Sequence, residues 1–151
     1  PFNKCKSCAA YQVKMKPERV TILIVDDDEV SVMAVRRALT RHKIANPVVV
    51  AGDGVEALER LRGDVTRPYV ILLDINMPRM TGLELLAEMR ADPHLQDSVV
   101  FILTTSDAPQ DICSAYSHQI AGYILKEDAY RSIGTAVAML DAYLGIVTLP
   151  S

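Results

Sequence analysis

The chain has 151 residues, 50% of them hydrophobic and 23% charged, which is one domain's worth of sequence with an ordinary core and excludes disorder as the whole answer. Sixteen Lys and Arg against nineteen Asp and Glu leave a net charge of −3, the wrong sign for a generic nucleic-acid footprint. No apolar run approaches the ~20 residues of a membrane span, and the three cysteines make no disulfide framework, so a cytoplasmic setting is expected.

Residues 1–18 are basic, with Lys4, Lys6, Lys14 and Lys16, and show no sustained period; they read as a flexible extension. Cys5 and Cys8 form a single C-x-x-C within it. A zinc site needs two more ligands, and His42, His94 and His118 have no ligand spacing, so the pair reads as incidental. A regular alternation follows. Val20 to Val25 is a short β-branched run and reads as a strand, and residues 30–41 place Val32, Val35 and Leu39 on one helical face. A second strand spans 48–51, and Asp53 with Glu56 resembles a capping box for the helix carrying Leu58 and Leu61. A third strand is expected at 70–74, a helix at 82–91, a fourth strand at 99–103 and a helix at 109–120. A fifth strand at 122–125 and a helix at 130–144, with Ile133, Val137, Leu140 and Leu144 one turn apart, complete the series. Five strand–helix units in strict alternation imply right-handed crossovers and a parallel α/β sheet covered on both faces. Cys113 falls in the fourth helix and reads as a small apolar residue.

Ligands on such sheets bind beyond the carboxyl ends of the strands. Those positions hold Asp26, Asp27, Asp28 and Glu29 after the first strand and Asp74 at the third. They hold Thr104, Thr105 and Ser106 after the fourth strand and Lys126 after the fifth. Each group alone also serves as ordinary cap or turn chemistry. Together they gather carboxylates, hydroxyls and one ammonium at one sheet edge. Close carboxylates repel unless a cation compensates, and oxygen-only ligands suit Mg²⁺. A metal there neutralises charge on a transferring phosphoryl group, which points to an aspartyl-phosphate formed and hydrolysed on the protein.

The segments ILIVDDDEVS (22–31), ILLDINMPRMTG (71–82), FILTTS (101–106) and GYILK (122–126) resemble the receiver domain of two-component response regulators over residues 19–144. The resemblance implies a five-stranded parallel sheet of order 2-1-3-4-5 flanked by five helices, with 145–151 as an apolar C-terminal tail. It implies that Asp74 is the phosphoacceptor and that Asp27, Asp26, Asp74 and the Asn76 carbonyl hold Mg²⁺. Thr104 and Lys126 bind phosphoryl oxygens, and Thr104 and Tyr123 act as the switch. The implied donor is a sensor histidine kinase, and the implied output is the surface of the fourth helix, fifth strand and fifth helix. The run DAYLGIVTLP (141–150) further resembles the small regulators paired with bacterial phytochromes, which implies a homodimer through that surface and the tail.

Two positions depart from the family pattern. Glu127 stands where Pro commonly follows the lysine, so the Lys126–Glu127 bond is expected to be trans, a cis non-proline bond costing ~2.5–4 kcal/mol. Thr105 is bulkier than the usual Ala or Gly. Three other functions compete. An aspartate-nucleophile phosphatase uses the same residue types, but its nucleophile ends the first strand in an Asp-x-Asp motif, which this chain lacks. Flavin binding needs a phosphate loop where four acidic residues stand. A receiver-like adaptor that never takes phosphate finds support only in Glu127. The expectation is therefore a single-domain signalling protein, not a turnover enzyme, with no nucleic-acid or membrane partner.

Overall fold

The computed structural model describes residues 19–150, apart from the side chains of 128–133. The elements alternate as β1 (Thr21–Val25), α1 (Glu29–Arg41), β2 (Val48–Ala51), α2 (Gly54–Arg62), β3 (Tyr69–Leu73) and α3 (Gly82–Ala91). They continue as β4 (Val99–Thr104), α4 (Pro109–Ser117), β5 (Gly122–Leu125) and α5 (Lys126–Ile146). All strand pairs are parallel and the order is β2-β1-β3-β4-β5, as expected. The expected extension over 1–18, with Cys5 and Cys8, and the side chain of Ile133 lie outside the described residues.

The period-two alternation of each strand feeds two cores. Leu23, Val25, Ile71 and Leu73 face α2, α3 and α4, where Leu58, Leu85, Leu86 and Met89 meet them. Ile22, Ile24, Val70 and Leu72 face the other way, against Val35 and Leu39 of α1 and Val137, Leu140 and Leu144 of α5. Both faces of β1 and β3 are thus dry, which is why these strands read as unbroken aliphatic runs. Phe101 stacks edge-on with Tyr143 at 5.1 Å between ring centroids, joining β4 to α5. Register then sets the functional edge. Val25 pairs with Leu73, Leu73 with Ile102, and Thr104 with Leu125, so the residues that follow emerge together.

Three helix boundaries differ from expectation by more than one residue. The fourth helix stops at Ser117 rather than residue 120: His118 caps it, and Gln119 takes a left-handed φ of 54° that turns the chain into β5. Ile120 is buried, so its apolar character reflects the core rather than the helix. The last helix begins at Lys126, four residues earlier than expected, with Leu125 in the N-cap position and no side-chain cap. With neither a capping side chain nor a proline to mark it, this start carries no local sequence signal. The helix also runs two residues into the expected tail. Of the tail's apolar residues, Leu149 packs into the α1–α5 core, while Ile146 and Val147 remain exposed. Cys113 is exposed on α4 rather than packed as a core residue. Among the described residues no helix is long and apolar enough to cross a membrane.

Candidate functional site

β1 ends at Val25, and β3 ends beside it at Leu73. The chain continues the ladder for one step on each side: the Asp74 N–H donates to the Val25 carbonyl at 2.9 Å, and the Asp26 N–H to the Ala51 carbonyl at 3.0 Å. This places Asp26 and Asp74 at the sheet edge, both buried at 6% exposure. Asp27 follows and is exposed, so its carboxylate stands on the solvent side of the pair. Oxygens of Asp26, Asp27 and Asp74 all lie within 4.8 Å of one another. Asp28 next caps α1, accepting from the Val30 N–H at 3.0 Å and the Ser31 hydroxyl at 2.9 Å. The four-acid run is therefore divided by backbone geometry: two residues supply the cluster, Asp28 serves as the cap, and Glu29 opens the helix.

Lys126 enters from the start of α5. Its Nζ lies 2.9 Å from Asp26 Oδ2 and 3.3 Å from Asp74 Oδ2, with only 5% of the residue exposed. Burial opposes its charge, but the Asp26 hydrogen bond and the two carboxylate charges outweigh that cost and hold its pKa above the ordinary lysine value. Burial also raises the Asp26 pKa, against hydrogen bonds from Lys126 and the Asp28 N–H, the latter at 2.9 Å. One ammonium thus compensates a buried carboxylate pair. It leaves Asp74 Oδ1 buried without a hydrogen-bond partner. Such an atom carries a desolvation cost, and it is the oxygen free to take a cation or an electrophile.

The remaining candidates occupy the same edge. Thr104 ends β4 and is fully buried, its hydroxyl accepting from the Ser106 N–H at 3.3 Å. The Tyr123 hydroxyl on β5 donates to the Ser106 carbonyl at 2.7 Å, and the ring packs against the α2–α4 core. The Ser106 hydroxyl donates to Asp111 in the first turn of α4 at 2.5 Å. Thr104, Tyr123 and the first turn of α4 are therefore joined through one residue, Ser106. Thr105 is exposed, and so is Asn76, two residues beyond Asp74. The Lys126–Glu127 bond is trans, since Arg67–Pro68 is the one cis bond among the described residues.

Gly82 explains how the edge stays compact. A Cβ there would lie 2.2 Å from the Asp74 carbonyl oxygen and 2.9 Å from Ile75 Cα, so only glycine lets α3 start against the backbone of the acidic residue. Its N–H donates to the Ile75 carbonyl at 2.8 Å.

The "Response regulator receiver domain" family matches residues 22–138. This chain belongs to the response regulator receiver family. The receiver is 30% identical over 136 residues to response regulator Rcp1 of Synechocystis sp., spanning 86% of this chain and 92% of that protein. It is 29% identical to the probable methanogenesis regulatory protein FilR2 of Methanothrix harundinacea, spanning 81% of each. Among solved structures, the phosphorylated cyanobacterial phytochrome response regulator RcpA superposes with a TM-score of 0.79 at 32% identity, over 88% of this chain and 99% of that one. The Mn²⁺-bound form of Rcp1 gives 0.77 at 29% identity, over 87% and 99%. The bacteriophytochrome response regulator AtBRR gives 0.68 at 33%, over 87% and 96%. The receiver's relatives thus include phytochrome response regulators.

Proposed function

We propose that this receiver accepts a phosphoryl group from a sensor histidine kinase onto Asp74, and that the kinase is a bacterial phytochrome. The observation that carries the reading is the buried, unpartnered Oδ1 of Asp74, beside two further carboxylates and one buried ammonium. Asp74 attacks phosphorus with a carboxylate oxygen, an O–P bond forms, the N–P bond of the donor histidine breaks, and the imidazole leaves with the electron pair. Three carboxylate oxygens within 4.8 Å fit a hard divalent cation, with Asp27, Asp74, the Asn76 carbonyl and, through water, Asp26 as its ligands. Bound there, Mg²⁺ would supply charge neutralisation on the transferring oxygens. Lys126 holds a second phosphoryl oxygen through charge, and the Thr104 hydroxyl a third.

Adding this charge changes what Thr104 and Lys126 face. Thr104 is linked to Tyr123 through Ser106, so its movement toward the phosphoryl group is felt at β5 and α4. The signal is read from the α4–β5–α5 surface, where a second copy docks to form a homodimer. Tyr116 of α4 and Met139 and Ile146 of α5 are exposed and supply apolar area on these elements. The receiver domain spans 19–144, and its chemistry on itself is stoichiometric rather than turnover. The test is phosphotransfer with Mg²⁺ from a phosphorylated kinase to wild type and to Asp74→Asn. Label on wild type alone supports the proposal; equal label on both, or on neither, overturns it.

A further inference from the structure

The loop between β3 and α3 carries Asn76 and connects the acceptor to Gly82. Its first end is fixed by the Gly82–Asp74 packing already described. Its far side, at Arg79 and Met80, is fixed by something else. Arg79 has a φ of 62°, in the left-handed region that is uncommon for a residue with a side chain. Its side chain reaches α2. Arg79 Nε donates to Asp53 Oδ2 at 2.7 Å, and Nη2 forms an ion pair with the same oxygen at 2.7 Å. The other oxygen of Asp53 accepts from the Glu56 N–H at 2.9 Å and caps the helix. The Asp53 side chain is 11% exposed, so the ion pair rests on a nearly buried carboxylate with both oxygens engaged. The next residue, Met80, lies on the same helix end: a Cβ on Gly54 would meet Met80 Cγ at 2.7 Å. Two successive loop residues are therefore tied to the N-terminus of α2, three and four residues beyond Asn76. Asp53 itself is outside the carboxylate cluster.

We propose that Arg79 is a positioning residue for the cation site: its fork onto Asp53 holds the β3–α3 loop so that the Asn76 carbonyl and Asp74 keep their spacing before any ligand arrives. This rests on the reading that the site takes a divalent cation and a phosphoryl group. A pre-set loop means that binding the ion does not have to order the backbone, so affinity is gained without a new ligand. Removing the fork lowers affinity for the cation and leaves the chemistry at saturation intact, because Asp74, Thr104 and Lys126 are untouched. Outer-shell partners of metal ligands contribute about 10–100-fold in affinity, and a partner acting through a loop belongs at the low end, about tenfold.

Glycine is at ease at a φ of 62°, so Arg79→Gly removes the fork and the backbone strain together. Asparagine still caps helices, so Asp53→Asn removes the charge while keeping the α2 cap. Mg²⁺ is titrated into each unphosphorylated protein by calorimetry, and labelling by a small acyl phosphate is followed across Mg²⁺ concentrations. Both variants are expected to weaken Mg²⁺ binding about tenfold, to keep the labelling rate at saturating Mg²⁺, and to show no further loss when combined. Affinity within about twofold of wild type in both variants overturns the proposal. So does failure of Arg79→Gly to fold while Asp53→Asn binds Mg²⁺ normally, since the pair then serves stability alone. If wild type itself neither binds Mg²⁺ nor takes label, the phosphoacceptor reading falls instead, which separates the two failures.

Discussion

Gly82 offers the sharpest link between packing and site. Alanine normally improves a helix over glycine by up to about 1 kcal/mol. At position 82 the added methyl carbon would sit 2.2 Å from the Asp74 carbonyl oxygen, 2.9 Å from Ile75 Cα and 3.0 Å from the Asp74 carbonyl carbon. All three are backbone atoms, so no side chain can swing aside, and α3 or the chain at the end of β3 must shift. Overpacking of this kind costs about 1–3 kcal/mol, occasionally more. Set against the propensity gain, Gly82→Ala should lose about 1–2 kcal/mol, a melting-temperature drop of roughly 3–8 °C for a domain of this size. Gly145, near the end of α5, has nothing within 4 Å of the same methyl. Gly145→Ala should therefore gain up to about 0.5 kcal/mol. Urea unfolding of both variants gives the comparison, with m-values checked for constancy. Phosphoryl labelling of Gly82→Ala should slow as well, because the displaced backbone is that of Asp74. The same sign of stability change in both variants, or a Gly82→Ala protein at least as stable as wild type, would refute the packing account.

The buried ion pair gives a second expectation. Lys126→Met leaves Asp26 and Asp74 facing one another without a cation, and removing one partner of a buried pair costs about 3–5 kcal/mol. Burial already raises the Asp26 pKa, and losing the Lys126 hydrogen bond raises it further in the folded state, so the loss should be largest at neutral pH and shrink on acidification; an equal loss at about pH 5 and pH 8 in urea unfolding contradicts this. In wild type, Lys126 has a raised folded pKa, so its stabilising contribution is complete below the ordinary value of 10.5 and fades as pH rises through the folded one. Asp53 and Asp28 have lowered values: hydrogen bonds from the Glu56 N–H and the Ser31 hydroxyl, respectively, come first among the causes. Their contribution is present above 3.8 and is lost as pH falls through the lowered values. Thermal melts across pH should decline at both ends, and an unchanged alkaline decline in Lys126→Met would remove Lys126 as its cause. Tyr123→Phe deletes the hydroxyl that holds the Ser106 carbonyl and should cost about 0.5–1.5 kcal/mol, with faster amide exchange over 104–108; unchanged exchange there would show that the link is idle.

The sheet and the acidic edge were legible because their signals are local. Aliphatic runs of four to six residues mark the strands, and in a parallel sheet each run's end marks a position at the same edge. The division of labour within Asp26–Glu29 was less legible, since four acids in a row look alike until the backbone buries Asp26, leaves Asp27 at the solvent side of the cluster and gives Asp28 to the helix cap. The ends of α4 and the start of α5 escaped because Gln119 is not the glycine expected at a left-handed position and Leu125 is not a capping residue. Long-range polar ties left no trace in the sequence. Arg79 and Asp53 are separated by 26 residues. Arg90 donates to the carbonyls of Gln96, Ser98, His118 and Gln119, binding α3 to the turn before β5, yet nothing in its local sequence announces it.

In the proposed function Asp74 takes the phosphoryl group, with a divalent cation held by its carboxylate neighbours. Intact-mass measurement after incubation with a small acyl phosphate tests it most directly, on wild type and Asp74→Asn, each with Mg²⁺ and with chelator. A single phosphoryl adduct on wild type with Mg²⁺, absent in the other three samples, is the predicted result. An adduct that persists in Asp74→Asn, or that forms equally with chelator, would contradict the account.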